Sequence, residues 1–90
     1  MRVIAGTARG RQLRSVKGPG TRPMTNRAKA ALFSIIDSHV KNSEFLDLFA
    51  GTGQVTIEAL SRGAERAVLV EKSAAALRTI QANLRTTNLE

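Results

Sequence analysis

Glu44-Phe45-Leu46-Asp47-Leu48-Phe49-Ala50-Gly51-Thr52-Gly53 is the stretch on which the fold turns. Glu44 to Phe49 reads as a strand, and it runs directly into a glycine turn. A helix follows from about Gln54 to Ser61 and is stopped by Gly63. The first N–H groups of that helix point back at the turn. Glycine suits this position because a ligand can approach the bare backbone and the chain can take a positive φ.

Working outward, Arg66 to Val70 is a second strand, nearly all apolar, as expected for a strand covered on both faces. Ser73 caps a final helix with Leu77, Ile80 and Leu84 on its buried side. Strand, helix, strand, helix implies an α/β unit of parallel strands joined by a right-handed crossover. Upstream, residues 2–5 and 12–16 are extended, and the Gly- and Arg-rich segment from Gly6 to Arg11 joins them as a hairpin. Gly18, Pro19, Gly20 and Pro23 mark residues 17–23 as a linker. Thr25 or Asn26 then caps a helix ending near His39, with Ala28, Ala31, Leu32, Ile35, Ile36 and His39 on its apolar face.

Charge divides the chain unevenly. Between Met1 and Ile36 stand eight basic residues and no acidic one; from Asp37 onward there are six basic and seven acidic residues, giving the net +7. The early bases are Arg2, Arg9, Arg11, Arg14, Lys17, Arg22, Arg27 and Lys29. Glycines interrupt them, so they do not form the basic amphipathic helix of a membrane-surface segment. They read either as a solvated face or as a polyanion site, where neutralised phosphates release counterions. Other classes are excluded more simply. With no cysteine and one histidine, neither a disulfide framework nor a thiolate or histidine-rich metal site is available. No apolar run approaches the roughly 20 residues of a membrane span, and the opening residues do not form a signal peptide. A soluble cytoplasmic protein is the expectation.

The turn itself is selective. A dinucleotide would place its pyrophosphate on the helix N-terminus, but the third glycine of that fingerprint is missing. Asp47, just ahead of the turn, would repel a pyrophosphate and attract an ammonium group instead. Glu71, twenty residues after Gly51 and at the end of the second strand, is placed to accept both hydroxyls of a ribose. An amino-acid end near Asp47 and a ribose near Glu71 together describe S-adenosylmethionine. The candidate cofactor-binding residues are Asp47, Phe49, Ala50, Gly51, Thr52, Gly53, Glu71 and Lys72. Phe49 is read either as ligand wall or as core. The candidate RNA-binding residues are Arg9, Arg11, Arg14, Lys17, Arg22 and Arg27, which grip phosphate because no aromatic side chain stands among them for base stacking.

In the order of its motifs the sequence resembles the bacterial small-subunit (16S) rRNA (guanine-N2-)-methyltransferases of the RsmD type. The residues that carry the resemblance are Arg2-Val3-Ile4-Ala5-Gly6, Gly10-Arg11, Thr21-Arg22-Pro23-Met24-Thr25, Arg27 and Ala31-Leu32-Phe33. It continues through Leu46 to Gly53, Glu58 to Ala64 and Val70-Glu71-Lys72, and so covers nearly the whole chain. The resemblance implies the first half of a Rossmann-like methyltransferase sheet in residues 24–90, preceded by a basic hairpin and linker in residues 1–23. It also implies S-adenosylmethionine as cofactor, and 16S rRNA or a small-subunit assembly intermediate as partner.

Two features depart from the family pattern. Asn26 and Ala30 stand where or near where relatives carry acids. The methyl-transfer motif, Asp or Asn followed by two prolines and an aromatic, is absent, since the only prolines are Pro19 and Pro23. The chain is therefore expected to be an amino-terminal part with no catalytic residue of its own. The family's further strand would pair beside residues 45–49, so this chain is expected to have a bare sheet edge and to self-associate. Two other readings stand beside this one: a non-catalytic RNA-binding module, and a fragment of a nucleotide-dependent oxidoreductase.

Overall fold

In the computed structural model, which describes residues 1–16, 24–48 and 50–90, β1 (Glu44–Asp47) and β2 (Arg66–Leu69) pair in parallel. The register sets Glu44 against Arg66 and Asp47 against Leu69. The crossover between them is α2 (Gln54–Ser61), and α3 (Ala74–Thr87) follows β2. Ahead of the sheet lies α1 (Asn26–Ile36), continued by a 3₁₀ turn over Asp37–His39. The α/β order is the one read from the sequence. Both strands are shorter than read, but pairing continues past them: Val70 N–H donates to Asp47 O at 2.8 Å and Ala50 N–H to Val70 O at 3.2 Å. Those two bonds carry the end of β2 alongside the glycine turn. Lys17, Arg22, the expected linker and Phe49 lie outside the described residues.

Local chemistry sets the helix ends. The Thr25 side chain accepts from Ala28 N–H at 3.0 Å and Ser73 from Ala76 N–H at 3.3 Å, so each occupies an N-cap. At the far end of α3, Asn88 takes a left-handed conformation, φ 59°, and its N–H returns to the last carbonyls. The α2 segment is the spine of the packing. Ile57 joins Val3, Ala8 and Leu13 in one apolar cluster. Ala59 joins Phe33, Val40 and Ala64 in another, backed by Ile36, Phe45 and Leu60.

Three expectations are corrected. The buried stripe of α1 is Lys29 and Phe33, with Leu32 and Ile36 half-buried, whereas Ala28, Ala31 and His39 are exposed and Ile35 is 79% exposed. A lysine takes the centre of that stripe because a buried carboxylate faces it. On α3 the buried residues are Ala76, Ile80, Asn83 and Thr87, while Leu77 lies on the exposed side. Two polar residues can occupy that stripe because both are hydrogen-bonded, Thr87 through its hydroxyl to Asn83 O at 2.8 Å. Finally, the sheet is covered on one face only. Leu46, Leu48, Val68 and Val70 alternate onto the other face, each between 47% and 61% exposed.

The N-terminal hairpin is also more economical than a pair of strands. One antiparallel bridge joins Arg2 and Gln12. Val3 N–H donates to Arg11 O at 3.0 Å, Gly10 N–H to Val3 O at 2.9 Å and Leu13 N–H to Met1 O at 2.9 Å. Beyond this ladder Ile4, Ala5 and Arg14 turn their backbone groups to side chains of α2 and α3.

Candidate functional site

The glycine turn is held shut by hydrogen bonds that start in the backbone. Gly53 N–H donates to Ala50 O at 2.8 Å, and Gly53 starts α2 at φ 80°. The two glycines have different work. A side chain added at Gly53 would press on Ile80 of α3, with its Cβ 3.2 Å from Cγ1. At Gly51, φ 56°, nothing lies within 4 Å of the same position. Gly53 therefore lets α3 close on the turn, and Gly51 presents bare backbone to open space.

Glu71 is built into this turn. One carboxylate oxygen accepts from Gly51 N–H at 2.9 Å and the other from Ser73 N–H at 3.0 Å. The Ser73 and Gly51 bonds hold its pKa below the ordinary carboxylate value, so it is ionised at neutral pH. Each oxygen retains acceptor capacity after one such bond. On the other side of the turn, Asp47 accepts from the Thr56 hydroxyl at 3.0 Å, which fixes its carboxylate against the first turn of α2. A cleft of about 220 Å³ lined by Leu48, Val70, Glu71 and Lys72 opens beside Glu71. Thr52 is buried and its hydroxyl accepts from Gln54 N–H at 3.3 Å. Six of the candidate cofactor residues, Asp47, Ala50, Gly51, Thr52, Gly53 and Glu71, thus meet at one turn, and Lys72 flanks it.

The sequence reading missed the side chains that tie the hairpin to this unit. Glu58, fully buried on α2, accepts from Ile4 N–H at 2.9 Å and Ala5 N–H at 3.0 Å. Its carboxylate also meets Arg62 Nε at 2.8 Å and the buried Lys29 Nζ at 3.3 Å. Burial alone would raise the Glu58 pKa. The Ile4 N–H, Arg62 and Ala5 N–H bonds and the Lys29 charge outweigh it and hold the pKa below the usual range. For Lys29 desolvation wins over the attraction of Glu58, and its pKa is lowered. Lys29 Nζ also donates to Arg2 O at 2.6 Å, and the Arg62 guanidinium lies 4.8 Å from the centre of the Phe33 ring. No local spacing signals these pairings, because Glu58 and Ile4 stand 54 residues apart and Lys29 and Arg2 stand 27 apart.

Asn83 does the same on α3. It accepts from Arg14 N–H at 2.7 Å, and its amide donates to Arg14 O and Thr52 O, both at 3.0 Å. One buried amide therefore links the hairpin exit to the glycine turn. Of the candidate RNA-binding residues, Arg9 and Arg11 are exposed on the hairpin, Arg14 lies against α3, and Arg27 is exposed on the first turn of α1. Lys29 is withdrawn from that basic surface. Asn26 accepts from Arg2 N–H at 3.2 Å.

The family described as Conserved hypothetical protein 95 matches residues 1–90, the whole chain. The chain belongs to this family. Among its relatives, Bacillus subtilis YlbH is 44% identical over 89 residues, covering 99% of this chain and 48% of YlbH. Escherichia coli Ribosomal RNA small subunit methyltransferase D is 40% identical over 86 residues, covering 96% of this chain and 43% of that protein. The structure of Escherichia coli yhhF superposes with a TM-score of 0.86 at 35% identity, over 98% of this chain and 47% of its own. The Thermus hypothetical protein TTHA0928 also gives 0.86, at 41% identity, over 100% of this chain and 52% of its own. The resemblance to the RsmD type and the Rossmann-like α/β class are thereby borne out. The chain spans about half the length of the curated relatives it matches. Among the described residues no helix is long and apolar enough to cross a membrane, and no cluster of His, Asp and Glu is arranged to hold a metal ion.

Proposed function

We propose that this chain is the S-adenosylmethionine-binding and RNA-gripping part of a methyltransferase acting on a guanine exocyclic amine of 16S rRNA. The observation that carries it is the Glu71 carboxylate held at Gly51, across an open glycine turn from Asp47. The residues fit the cofactor. Glu71 offers ionised acceptors for two ribose hydroxyls, Asp47 offers a carboxylate for an ammonium, and Gly51 leaves the backbone open to a nucleoside between them. Ala50, Thr52 and Gly53 shape the turn, Lys72 flanks the ribose end, and Phe49, next to Ala50 in the sequence, is proposed as a further cofactor contact. When bound, S-adenosylmethionine supplies a methyl group on an electrophilic sulfonium.

Residues 24–90 hold and orient the cofactor, and residues 1–23 bind rRNA or a small-subunit assembly intermediate through Arg9, Arg11, Arg14, Lys17, Arg22 and, from α1, Arg27. Phosphate contacts of this kind set position and make affinity fall with salt. The resemblance implies that a proline-containing motif positions the guanine amine; residues 1–90 hold no such motif, so this chain alone is expected to bind without transferring methyl. The site of action is the cytoplasm, where ribosomal subunits assemble.

Isothermal calorimetry with S-adenosylmethionine, its demethylated product and NAD tests the reading. Measurable binding of the two sulfur nucleosides with none for NAD is the expected outcome. Preference for NAD would assign the turn to an oxidoreductase fragment. No binding of any of the three would leave an RNA-binding module.

A further inference from the structure

We infer that the groove between residues 14–15 and α3 is a seat for a backbone phosphate of RNA, built on Arg14 and Arg78. This rests on the RNA-binding reading and extends it to a helix that reading did not include. The groove, an open depression of about 330 Å³, is lined by Arg14, Ser15, Ala75, Arg78, Thr79 and Ala82. Its lining combines two arginines, two alanines and the hydroxyl-bearing Ser15 and Thr79. The backbone of Arg14 is fixed against α3, because the buried Asn83 grips both its N–H and its carbonyl, so both arginines are anchored to one wall. None of the ion pairs among the described residues involves Arg14, Arg78 or Arg85. Nor does α3 contain an acidic residue from Ala74 to Thr87 that could pair with Arg78 one turn away.

Two guanidiniums outside any ion pair line one small concavity and concentrate positive charge that an anion would neutralise. The guanidinium fork matches phosphate oxygens bidentately. Among the described residues no aromatic lines the groove, so they offer no stacking surface for a base, and the contact is with the backbone. A bilayer surface suits a broad apolar face flanked by bases; this small recess, lined by two arginines and two hydroxyl-bearing residues, suits a single phosphate. The groove continues the basic surface of the hairpin, through Arg14, onto the outward side of α3, where Arg85 stands seven residues beyond Arg78.

Fluorescence anisotropy of the chain with a short fluorescein-labelled RNA hairpin, read from about 50 to 200 mM salt, tests the inference. Arg78→Ala is expected to weaken binding roughly fivefold and to reduce the slope of log affinity against log salt by about one. Arg78→Lys should keep the slope and lose part of the affinity. Arg66→Ala, which removes a cation already paired with Glu44 at 2.9 Å, should change neither. If Arg78→Ala binds like the parent at every salt while the Arg9→Ala/Arg11→Ala double variant is weakened, the groove is refuted and the RNA reading stands. If the parent binds no RNA, both fall. If phosphatidylglycerol vesicles capture the parent more tightly than RNA does, with the same Arg78 dependence, the assignment to RNA is overturned.

Discussion

Glu58 shows how one side chain can replace a strand partner. Its carboxylate satisfies the N–H groups of Ile4 and Ala5 where the hairpin ladder ends, and at the same time meets Lys29 and Arg62. Glu58→Gln would strand a buried lysine, so a loss of about 3–5 kcal/mol is expected in urea unfolding. That is a large share of the total stability of so small a domain. Glu58 and Glu71 both have lowered pKa values in the folded chain. Their contribution is therefore complete above the ordinary glutamate value of roughly 4.3 and drains away as pH falls through the lowered folded values. Thermal melts should show that acid-side loss, and Glu58→Gln should flatten it. Gly6 is a second rigid point. At φ +89° a Cβ there would come within 1.8 Å of Ser61 O, a backbone atom, so Gly6→Ala is expected to cost at least about 2 kcal/mol. The residues that mark the turn could be read in advance, since glycine and flanking acids have a chemistry that spacing reveals. Glu58 and Lys29 could not, because their partners stand 54 and 27 residues away in backbone groups that carry no sequence signature.

Strands, helices and their caps were legible where periodicity and capping chemistry were strong: Thr25 and Ser73 cap as read, and Gly53 opens α2. The phase of α1 was not, because its alanines and isoleucines are distributed around the helix, and tertiary contacts, Lys29 with Glu58 and Phe33 with Ala59 and Val40, select the buried side. Asn83 sits in the buried stripe of α3 for a comparable reason: it serves as a partner for residue 14 of the hairpin and residue 52 of the turn. Asn83→Ala should lose both links at a cost of about 2 kcal/mol. Hydrogen exchange should show the Arg14 amide losing protection while amides within β1 and β2 keep theirs. Retained protection at Arg14 would mean that the hairpin exit is held by other contacts.

The molecule as a whole presents one finished face and one bare one. Helices α2 and α3 lie on one side of the sheet; Leu46, Leu48, Val68 and Val70 project from the other, and among the described residues each strand has one unpaired edge. A bare apolar face with open edges favours association. The chain is expected to self-associate at tens of micromolar in sedimentation equilibrium, and Leu46→Lys/Val68→Lys to shift it to monomer. A parent that sediments only as monomer would contradict this. Here too the run of apolar residues in β2 was legible, but whether both faces would be covered depended on elements the sequence of two strands cannot reveal. The most direct measurement is calorimetric titration of S-adenosylmethionine into the parent chain and into its Asp47→Ala/Glu71→Ala variant. Binding by the parent and none by the variant is the predicted result; equal affinity in the two would contradict the assignment of the turn as a cofactor clasp.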